Sequence, residues 1–598
     1  MYRYSQYFLA ILGFYALFLL VRFYFSDAYT DWIESDQDEI DLKSVTLRGD
    51  KLEIFNSWHQ CFSENMMGIT DSEEFWQSFV GISRKCDSQA NVHLLGIVTL
   101  RNSDEMKHVL FPKIFNSGPH NLFTIGIGRD IRAEKQFRRK MLKLGNNVTY
   151  YGADPIPYIN GDLYSQIGTY FPLAIGGKSG ISNARVMEKY GYIETNMIHI
   201  DIIYFFKEIL NITTIDNLWF DAEGEEFGND FFDIFYENGR FDQNKIDVCQ
   251  INIEIHITSD VPHRKQEFMK FLKRIIEEKR FGVYFGDEYG HIRMYMFNYR
   301  SQYLFFICFK VVRLYSKTTK EVEADDSDQQ TLFLVANKSE IFEDWRTCAK
   351  YKLMGFEDPS EFWKQFVNLS RKCDEESQIS KLGLIEVENM DEQKTVILPK
   401  NEDQNHNLIT LGIGQDTSAE ERYQKKMQKL GKIVDFFGAD PMVELNSEIY
   451  SRIGKYFPFA VARHAGFSNA SIQKNGEYLD QNVAHVDILY FFKQILDVEK
   501  IDNLWIDAEG AEYELFEIFE KNGVLDQNDI VVCQANMEIH ISEAEGHLNP
   551  NFEKQKIFMD FVKKIITEKK YGIFRASEEF HMRIYLFNFE SEYCRNKY

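Results

Sequence analysis

Residues 502–516 read DNLWIDAEGAEYELF, and this stretch decides the fold. Residues 504–506 are large and apolar, which is typical of a short strand in a sheet that is covered on both faces. Asp507 and Glu509 follow in a tight acidic turn, and a helix is predicted after the turn. Because open α/β sheets bind ligands at the carboxyl ends of their strands, the two carboxylates stand where a ligand site is expected.

The same pattern occurs once before, as DNLWFDAEGEEFGNDF at residues 216–231. Further positions recur at nearly the same offset along the chain: Cys61 and Cys348, Gly126 and Gly412, Asp154 and Asp440, Asp221 and Asp507, and His256 and His540. The 598 residues therefore comprise two copies of one domain, here named copy one and copy two. Each copy is long enough to bury a full core.

The repeat divides the chain into six segments. We assign them as a cytoplasmic tail (1–6), a transmembrane signal anchor (7–25), an acidic stem (26–50), copy one (51–303, with an α/β core at 120–300), a linker (304–335) and copy two (336–598, with its core at 405–590). Each core follows a segment, 51–115 in copy one, that is predicted to form a helical cap over buried aromatic residues.

The net charge of the chain indicates which kind of molecule it can bind. The formal net charge is −24 and the isoelectric point is near 5.1. Proteins that bind nucleic acid need a basic face, so this composition argues against a nucleic-acid partner.

The N-terminus predicts the compartment. Residues 7–25 are almost uncharged and just long enough to cross a bilayer, and Arg22 near one end can extend towards the interface. The slight excess of basic residues before them places the N-terminus in the cytoplasm and the body in a lumen or outside the cell. The alternative is a signal peptide, with the protein secreted if Tyr7–Ala28 is cleaved off.

Cysteines and sequons fit a secretory route. Cys61 and Cys86 have the same separation as Cys348 and Cys373, which predicts one disulfide in each copy. Two further cysteines lie in apolar strands and are predicted to be buried free thiols; they are Cys249 and Cys533. Sequons for a glycoprotein occur at Asn147, Asn211, Asn337, Asn368 and Asn469.

Each core opens with a strand, a glycine turn, a helix, a second strand and an acid. The residues are Gly126, Gly128 and Asp154 in copy one, and Gly412, Gly414 and Asp440 in copy two. This order is typical of a nucleotide-binding βαβ unit, in which the acid accepts hydrogen bonds from ribose hydroxyls. The acids are also followed by proline, so an ordinary turn is the alternative.

A later apolar strand in each copy ends in Glu-Ile-His, at Glu254/His256 and Glu538/His540. A histidine at this place can act as a general base towards a hydroxyl group. It can also be a hydrogen-bonded part of the scaffold, or hold a metal together with the acids. We assign no metal site.

DAEGAEYELF resembles the Asp-(Val/Ala)-Glu-Gly-Ala-Glu signature of FkbM-type methyltransferases. The similarity continues through residues 457–461, 485–487 and 538–540 and covers about 120–300 and 405–590. It implies two tandem Rossmann-like (class I methyltransferase-like) α/β domains that use S-adenosylmethionine. The implied activity is methyl transfer. Together with the predicted compartment, we expect O-methylation of a small-molecule or glycan acceptor in the secretory pathway.

The resemblance also implies roles for individual residues. In copy two, Gly412 and Gly414 face the methionine and ribose part of the cofactor, and Asp440 faces the ribose hydroxyls. Asp507 and Glu509 line the methyl-transfer cleft. His540 is a further catalytic candidate because of its chemistry as a base, not because of the resemblance. The corresponding residues of copy one are Gly126, Gly128, Asp154, Asp221, Glu223 and His256.

Two other functions are compatible with the sequence. One is a catalytically inactive ectodomain that binds a partner through the retained cleft. The other is a Golgi-type glycosyltransferase, which often holds a metal-nucleotide with Asp-x-Asp. Here the Asp-x-Asp motifs, at 36–38 and 326–328, fall in the stem and the linker.

Overall fold

The computed structural model describes residues 51–598 except 104, 113–118, 189–190, 222–230, 257–261, 301–335, 391, 401–404, 475–476, 542–550 and 580. The tail, the proposed membrane anchor, the stem, the linker and both Asp-x-Asp motifs therefore lie outside the described residues. Within the described part of the chain, no helix is both long and apolar enough to cross a membrane.

The strands of copy one are β1 (Val98–Arg101), β2 (Met106–Val109), β3 (His120–Ile125), β4 (Val148–Ala153), β5 (Thr169–Phe171), β6 (Ala174–Gly176), β7 (Gly180–Glu188), β8 (Gly191–Asp201), β9 (Thr214–Phe220), β10 (Asp247–Ile255), β11 (Phe281–Tyr289) and β12 (His291–Asn298).

Copy two repeats this set as β13 (Leu384–Glu388), β14 (Gln393–Ile397), β15 (Asn405–Leu411), β16 (Ile433–Ala439), β17 (Lys455–Phe457), β18 (Ala460–Ala462), β19 (Gly466–Lys474), β20 (Glu477–Asp487), β21 (Lys500–Ile506), β22 (Val531–Ile539), β23 (Tyr571–Glu579) and β24 (His581–Asn588).

The α-helices alternate with the strands. Those of copy one are Lys51–Met66, Ser72–Gln89, Arg132–Lys143, Pro157–Ser165, Ile202–Tyr204, Arg240–Gln243 and Pro262–Glu278. Those of copy two are Ala336–Leu353, Pro359–Glu376, Ser418–Lys429, Val443–Tyr450, Ile488–Tyr490, Glu512–Leu515, Phe552–Glu568 and Glu592–Lys597. Two of the short helices continue as π-helical turns, Phe205–Ile209 and Phe491–Leu496.

Each copy is built on a seven-stranded sheet. The order is β17-β16-β15-β21-β22-β24-β23 in copy two, and the corresponding strands follow the same order in copy one. The chain first builds from β15 outwards to β17 and then returns to β21 on the other side of β15. The carboxyl ends of β15 and β21 therefore form the switch point at which such sheets bind ligands. β24 runs antiparallel to its neighbours.

The central strand β21 is covered on both faces, as its apolar sequence predicts. Trp505 packs on one face, with its ring centroid 6.3 Å from that of Tyr423 on the helix Ser418–Lys429. Leu504 and Ile506 face the opposite side and belong to the main core. The α/β class and the two-copy organisation predicted from the sequence are therefore confirmed.

The cap is only partly helical. The helices Lys51–Met66 and Ser72–Gln89 are present and are joined by the predicted disulfide Cys61–Cys86, as Cys348–Cys373 joins their counterparts. The prediction of a helical cap throughout 51–115 is wrong, because β1 and β2 form an antiparallel hairpin there. Val98 and Leu100 are buried while their neighbours are more exposed, which is the two-residue period of a strand.

One of the two cysteine predictions is also wrong. Cys249 is a buried free thiol, as predicted, but Cys533 forms a disulfide with Cys594. The terminal helix that carries Cys594 folds back onto the sheet, where the Lys597 ammonium lies 2.8 Å from the Asp502 carboxylate in the interior. The spacing of cysteines could not show this return of the chain.

The two copies pack on each other through equivalent elements. The rings of Tyr204 and Tyr490 stack with their centroids 3.5 Å apart, and the backbone N–H of Asp487 donates to the Tyr204 hydroxyl at 2.9 Å. Phe467 on β19 packs against Phe171 of copy one. The sequence analysis did not anticipate the β19–β20 hairpin, whose residues also form one wall of the site described next.

Candidate functional site

A cavity of about 320 Å³ lies at the carboxyl ends of β15, β16 and β21 in copy two. This volume falls at the lower end of the range of about 300–1,000 Å³ that is usual for small-molecule sites. The β19–β20 hairpin contributes Asn469, Ala470 and His485 to its wall. The predicted residues that line it are Gly412, Gly414, Asp440, Asp507 and Glu509.

The two glycines of the turn after β15 have different roles. Gly412 has φ +82°, and a Cβ atom there would lie 1.6 Å from the carbonyl oxygen of Asp507. The turn can therefore approach the acidic strand end only without a side chain. Gly414 has φ +61°, and among the described residues no atom beyond its chain neighbours lies within 4 Å of the place where its Cβ would be. Its backbone is thus open to a ligand in the cavity.

Asp440 holds this turn against the end of β16. One carboxylate oxygen accepts a hydrogen bond from the backbone N–H of Ile413 at 3.0 Å, and the other accepts from Met442 at 2.7 Å. Burial raises the pKa of Asp440. The side chain of Asn446 and the backbone of Gly414 also hydrogen-bond to this carboxylate, so Asp440 is a main support of the turn. Asp154 makes the corresponding contacts in copy one.

His540 lies among three carboxylates. Its Nε2 is 3.4 Å from Asp507 Oδ1 and 3.7 Å from Glu509 Oε2, and its Nδ1 is 2.8 Å from Oε1 of the buried Glu512. Burial alone would lower the pKa of His540, but Glu512, Asp507 and Glu509 outweigh it and raise the pKa to about 9. At neutral pH His540 is therefore an imidazolium, and the sequence-based assignment of a general base does not fit it.

Asp507 is the better proton acceptor. Burial raises the pKa of Asp507 to about 7. The negative charges of Glu392 and Glu509 raise it further, and the positive charges of Lys394 and His540 lower it. The atom Oδ1 is buried and accepts no hydrogen bond from any residue within the described ranges. A carboxylate with a pKa near 7 suits general base catalysis at neutral pH.

Several polar residues around Asp507 were missed by the sequence analysis. Burial opposes the charge of Lys394, yet Glu392 and Asp507 raise the pKa of this lysine, so it stays an ammonium beside the site. Around this core lie Glu512, His581 with its ring 4.3 Å from that of His540, and Arg583, which donates to Glu538 at 2.9 Å.

A signal for four of these residues was present in the repeat. Glu-x-Lys recurs at 105–107 and 392–394, and His-x-Arg recurs at 291–293 and 581–583. Polar pairs retained in both copies next to apolar strands could have marked them as neighbours of the site.

Copy one repeats the arrangement where it is described. His256 Nε2 lies 3.3 Å from Asp221 Oδ1 and 3.7 Å from Glu254 Oε1. Burial and the charge of Glu254 raise the pKa of Asp221 well above its ordinary value. Arg293 makes two hydrogen bonds of 2.8 Å to Glu254. A Cβ atom at Gly126 would lie 1.6 Å from the carbonyl oxygen of Asp221, which is the same close approach as between Gly412 and Asp507. Glu223 lies outside the described residues.

The same side chains are the candidates for a metal site. Ligand atoms of Asp507, Glu509 and His540 lie within 4.8 Å of one another, as do those of Glu254, His256 and His291 in copy one. In copy two the imidazolium of His540 already supplies a positive charge among these acids. The expectation that no metal is bound stays a prediction.

We expect Glu512→Gln to lower the pKa of His540 by about 1–3 units, because the variant removes the nearest opposite charge. The imidazole signal of His540, followed by NMR against pH in the full chain, measures the shift. Glu514→Gln, an exposed position on the same short helix, is the matched control and should leave the titration unchanged.

The interaction between His540 and Glu512 also makes the stability of the protein depend on pH. Since the pKa of His540 is raised from 6.5 to about 9 on folding, its contribution to the free energy of unfolding is complete below pH 6.5 and is lost as pH rises through about 9. The thermal stabilities of wild type and Glu512→Gln should therefore differ most below pH 6.5 and converge above about pH 9. An equal difference at all pH values would contradict the assignment.

Comparison with known proteins identifies the family. The model of the methyltransferase FkbM domain matches the chain twice, at residues 60–303 and 348–587. Neither curated proteins nor solved structures give a match. The two matches cover most of the chain, include every residue of both sites discussed above, and confirm the resemblance drawn from the acidic turn. The chain belongs to the FkbM methyltransferase family.

Proposed function

We propose that copy two is an S-adenosylmethionine-dependent methyltransferase that transfers a methyl group to an oxygen of a small molecule or glycan. One observation carries this proposal: the glycine turn, Asp440 and the acidic turn, which are far apart in sequence, line one cavity at the switch point of the sheet. The strand order, with β24 reversed between β22 and β23, is that of class I methyltransferases and supports the same function.

The residues present fit this cofactor. The open backbone at Gly414 and the second glycine turn at Gly510, with φ +105°, leave room for a ligand that lies along the strand ends. Asp440 lines the same cavity at the end of β16, which is the place at which an acid meets ribose hydroxyls in such sheets. When bound, S-adenosylmethionine supplies an electrophilic methyl group on a sulfonium sulfur that leaves as a neutral thioether.

Asp507 is the group that we assign to proton transfer. With cofactor and acceptor bound, the carboxylate of Asp507 would take the proton from the acceptor hydroxyl as that oxygen receives the methyl group. Glu509 lines the same wall and helps to orient the acceptor, since transfer depends mainly on in-line placement of the two reactants.

Two buried cations hold Asp507 ready for this role. The His540 imidazolium and the Lys394 ammonium both favour its carboxylate form against the effect of burial. Without them the carboxyl group would remain protonated at neutral pH and could not accept a proton. His540 is in this account a positioning and electrostatic residue.

We further infer that the body of the protein acts in a lumen or outside the cell. Three disulfides, Cys61–Cys86, Cys348–Cys373 and Cys533–Cys594, support an oxidising compartment. The proposed anchor at residues 7–25 would attach it to the membrane.

Methyl transfer to added acceptors tests the proposal. The full chain is incubated with S-adenosylmethionine carrying a deuterated methyl group and with a panel of methyl glycosides and small alcohols, and products are analysed by mass spectrometry. We expect a deuterated methyl ether that forms with wild type and is strongly reduced with Glu509→Gln. If no labelled product forms and no cofactor binds, the methyltransferase proposal is wrong. The cleft would then be expected to bind a partner without catalysis.

A further inference from the structure

A second and larger cavity, of about 770 Å³, lies in copy one between the cap and the edge of the sheet. The cap helix Ser72–Gln89, the β1–β2 hairpin, β10 and the β11–β12 hairpin form its walls. Apart from Glu254, none of its lining residues was a candidate in the sequence analysis. Its volume is within the range of about 300–1,000 Å³ that is usual for ligand sites.

Two acids that line this cavity lie close to Asp221, the copy-one equivalent of Asp507. Glu105, Lys107 and Glu254 line the cavity. Carboxylate oxygens of Glu105, Asp221 and Glu254 lie within 4.8 Å of one another. A molecule bound between Glu105 and Glu254 would therefore lie near Asp221, which stands in copy one where Asp507 stands in copy two.

The charges that line the cavity are balanced. Arg84 pairs with Asp287, Lys107 with Glu105, and Arg293 with Glu254. Arg101 and Asp87 also line the cavity, so four basic and four acidic side chains face it and neither sign is in excess. Such a lining offers many hydrogen-bond donors and acceptors and favours a neutral, polar ligand over a strongly charged one.

An aromatic pair contributes to the apolar part of the lining, beside Met106, Ile253 and Met294. The rings of His108 and Phe285 stack with their centroids 4.4 Å apart at an angle of 15°. Burial lowers the pKa of His108 to about 4, so this ring is neutral at physiological pH. Aromatic rings beside paired carboxylates and guanidinium groups suit a molecule with apolar C–H faces and hydroxyl edges.

Phe285 is held in a strained backbone conformation. Its φ is +55°, which is uncommon for a bulky residue, and it lies at a bulge in the pairing of β11 with β12. The cap fixes this bulge, since Asp87 accepts a hydrogen bond of 2.8 Å from the backbone N–H of Phe285. Strain of this kind is found at ligand-binding positions.

Copy two keeps the bulge but has a different lining. Arg575 stands at the position of Phe285, with φ +54°, and its N–H donates to Asp374 at 2.9 Å. Thr395 stands at the position of His108. The bulge is therefore part of the shared scaffold, and the stacked aromatic pair is a particular property of copy one.

We propose that the cavity under the copy-one cap binds a neutral saccharide, with one sugar face against the exposed side of the Phe285–His108 stack and a hydroxyl group between Glu105 and Glu254. The saccharide class follows from the balanced charges, the aromatic pair and the volume. Only the further step, that this saccharide is a methyl acceptor, rests on the proposed function.

Saturation-transfer NMR with the full chain tests the proposal. The probes are methyl α-mannoside, methyl β-galactoside and methyl β-N-acetylglucosaminide, with sodium glucuronate as the charged comparison. We expect binding of at least one neutral glycoside that becomes about tenfold weaker in Phe285→Gly, since glycine keeps the positive φ while the aromatic contact is lost. Arg575→Gly makes the same change in copy two and should have no effect.

Three results would overturn the proposal: binding of glucuronate alone, no binding of any neutral glycoside, or equal binding by wild type and Phe285→Gly. Calorimetry with S-adenosylmethionine on the same samples separates this proposal from the previous one. If glycosides bind as expected but the cofactor does not, the saccharide site stands and the methyltransferase proposal fails. If the cofactor binds but no glycoside does, the saccharide site fails alone.

Discussion

Gly412→Ala is expected to remove S-adenosylmethionine binding from copy two. The substitution places a Cβ atom 1.6 Å from the Asp507 carbonyl oxygen and forces alanine into φ +82°. The turn must therefore move away from the acidic strand end, which separates Gly414 from Asp507 and destroys the cavity. The backbone conformation alone costs about 1–3 kcal/mol, and the steric contact adds to it.

Calorimetric titration of the full chain with the cofactor measures this effect, together with thermal unfolding. Gly355→Ala is the control, because Gly355 has an ordinary φ and no atom within 4 Å of a new Cβ. Gly126→Ala makes the same steric contact with Asp221 in copy one and reports whether that copy also binds the cofactor. Unchanged affinity and stoichiometry in Gly412→Ala would contradict the role of the turn.

The second large effect is expected from Asp507→Asn. An amide cannot accept the proton of the acceptor hydroxyl, so the rate of methyl transfer should fall by about 10²–10⁴-fold while the cofactor still binds. Asp221→Asn is the matched variant in copy one. Comparing the rates of the two variants shows how much of the activity comes from each copy. A rate within a few-fold of wild type would remove Asp507 from proton transfer.

The pH dependence of the same reaction follows from the two shifted groups. Activity should rise with pH through about 7, as the carboxylate of Asp507 forms, and fall through about 9, as His540 loses its proton. The rise should be absent in Asp507→Asn. An activity that is already maximal at pH 5 would contradict the raised pKa of Asp507.

Much of the fold could be predicted because its signals are local or repeated. The apolar run 504–506 identified the central strand, and the glycine turns and Asp440 marked the neighbouring strand ends. Since parallel strands end at one edge of the sheet, these residues had to meet once the topology was known. The repeat also gave the disulfides Cys61–Cys86 and Cys348–Cys373.

What the sequence could not show depends on contacts between distant segments. The high pKa of His540 arises from Glu512, on the helix after the acidic turn, and Lys394 arrives from the β13–β14 hairpin, which precedes the whole α/β core. The disulfide of Cys533 depends on the return of the last helix to the sheet. The saccharide cavity likewise joins the cap to β12 across most of copy one.

A crystal structure of the full chain with S-adenosylhomocysteine, the product form of the cofactor, tests the central claim most directly. We predict that the ligand occupies the copy-two cavity, with its backbone contacts at Gly414, its ribose at Asp440 and its sulfur facing Asp507. Ligand bound elsewhere, or none in this cavity at saturating concentration, would contradict the account.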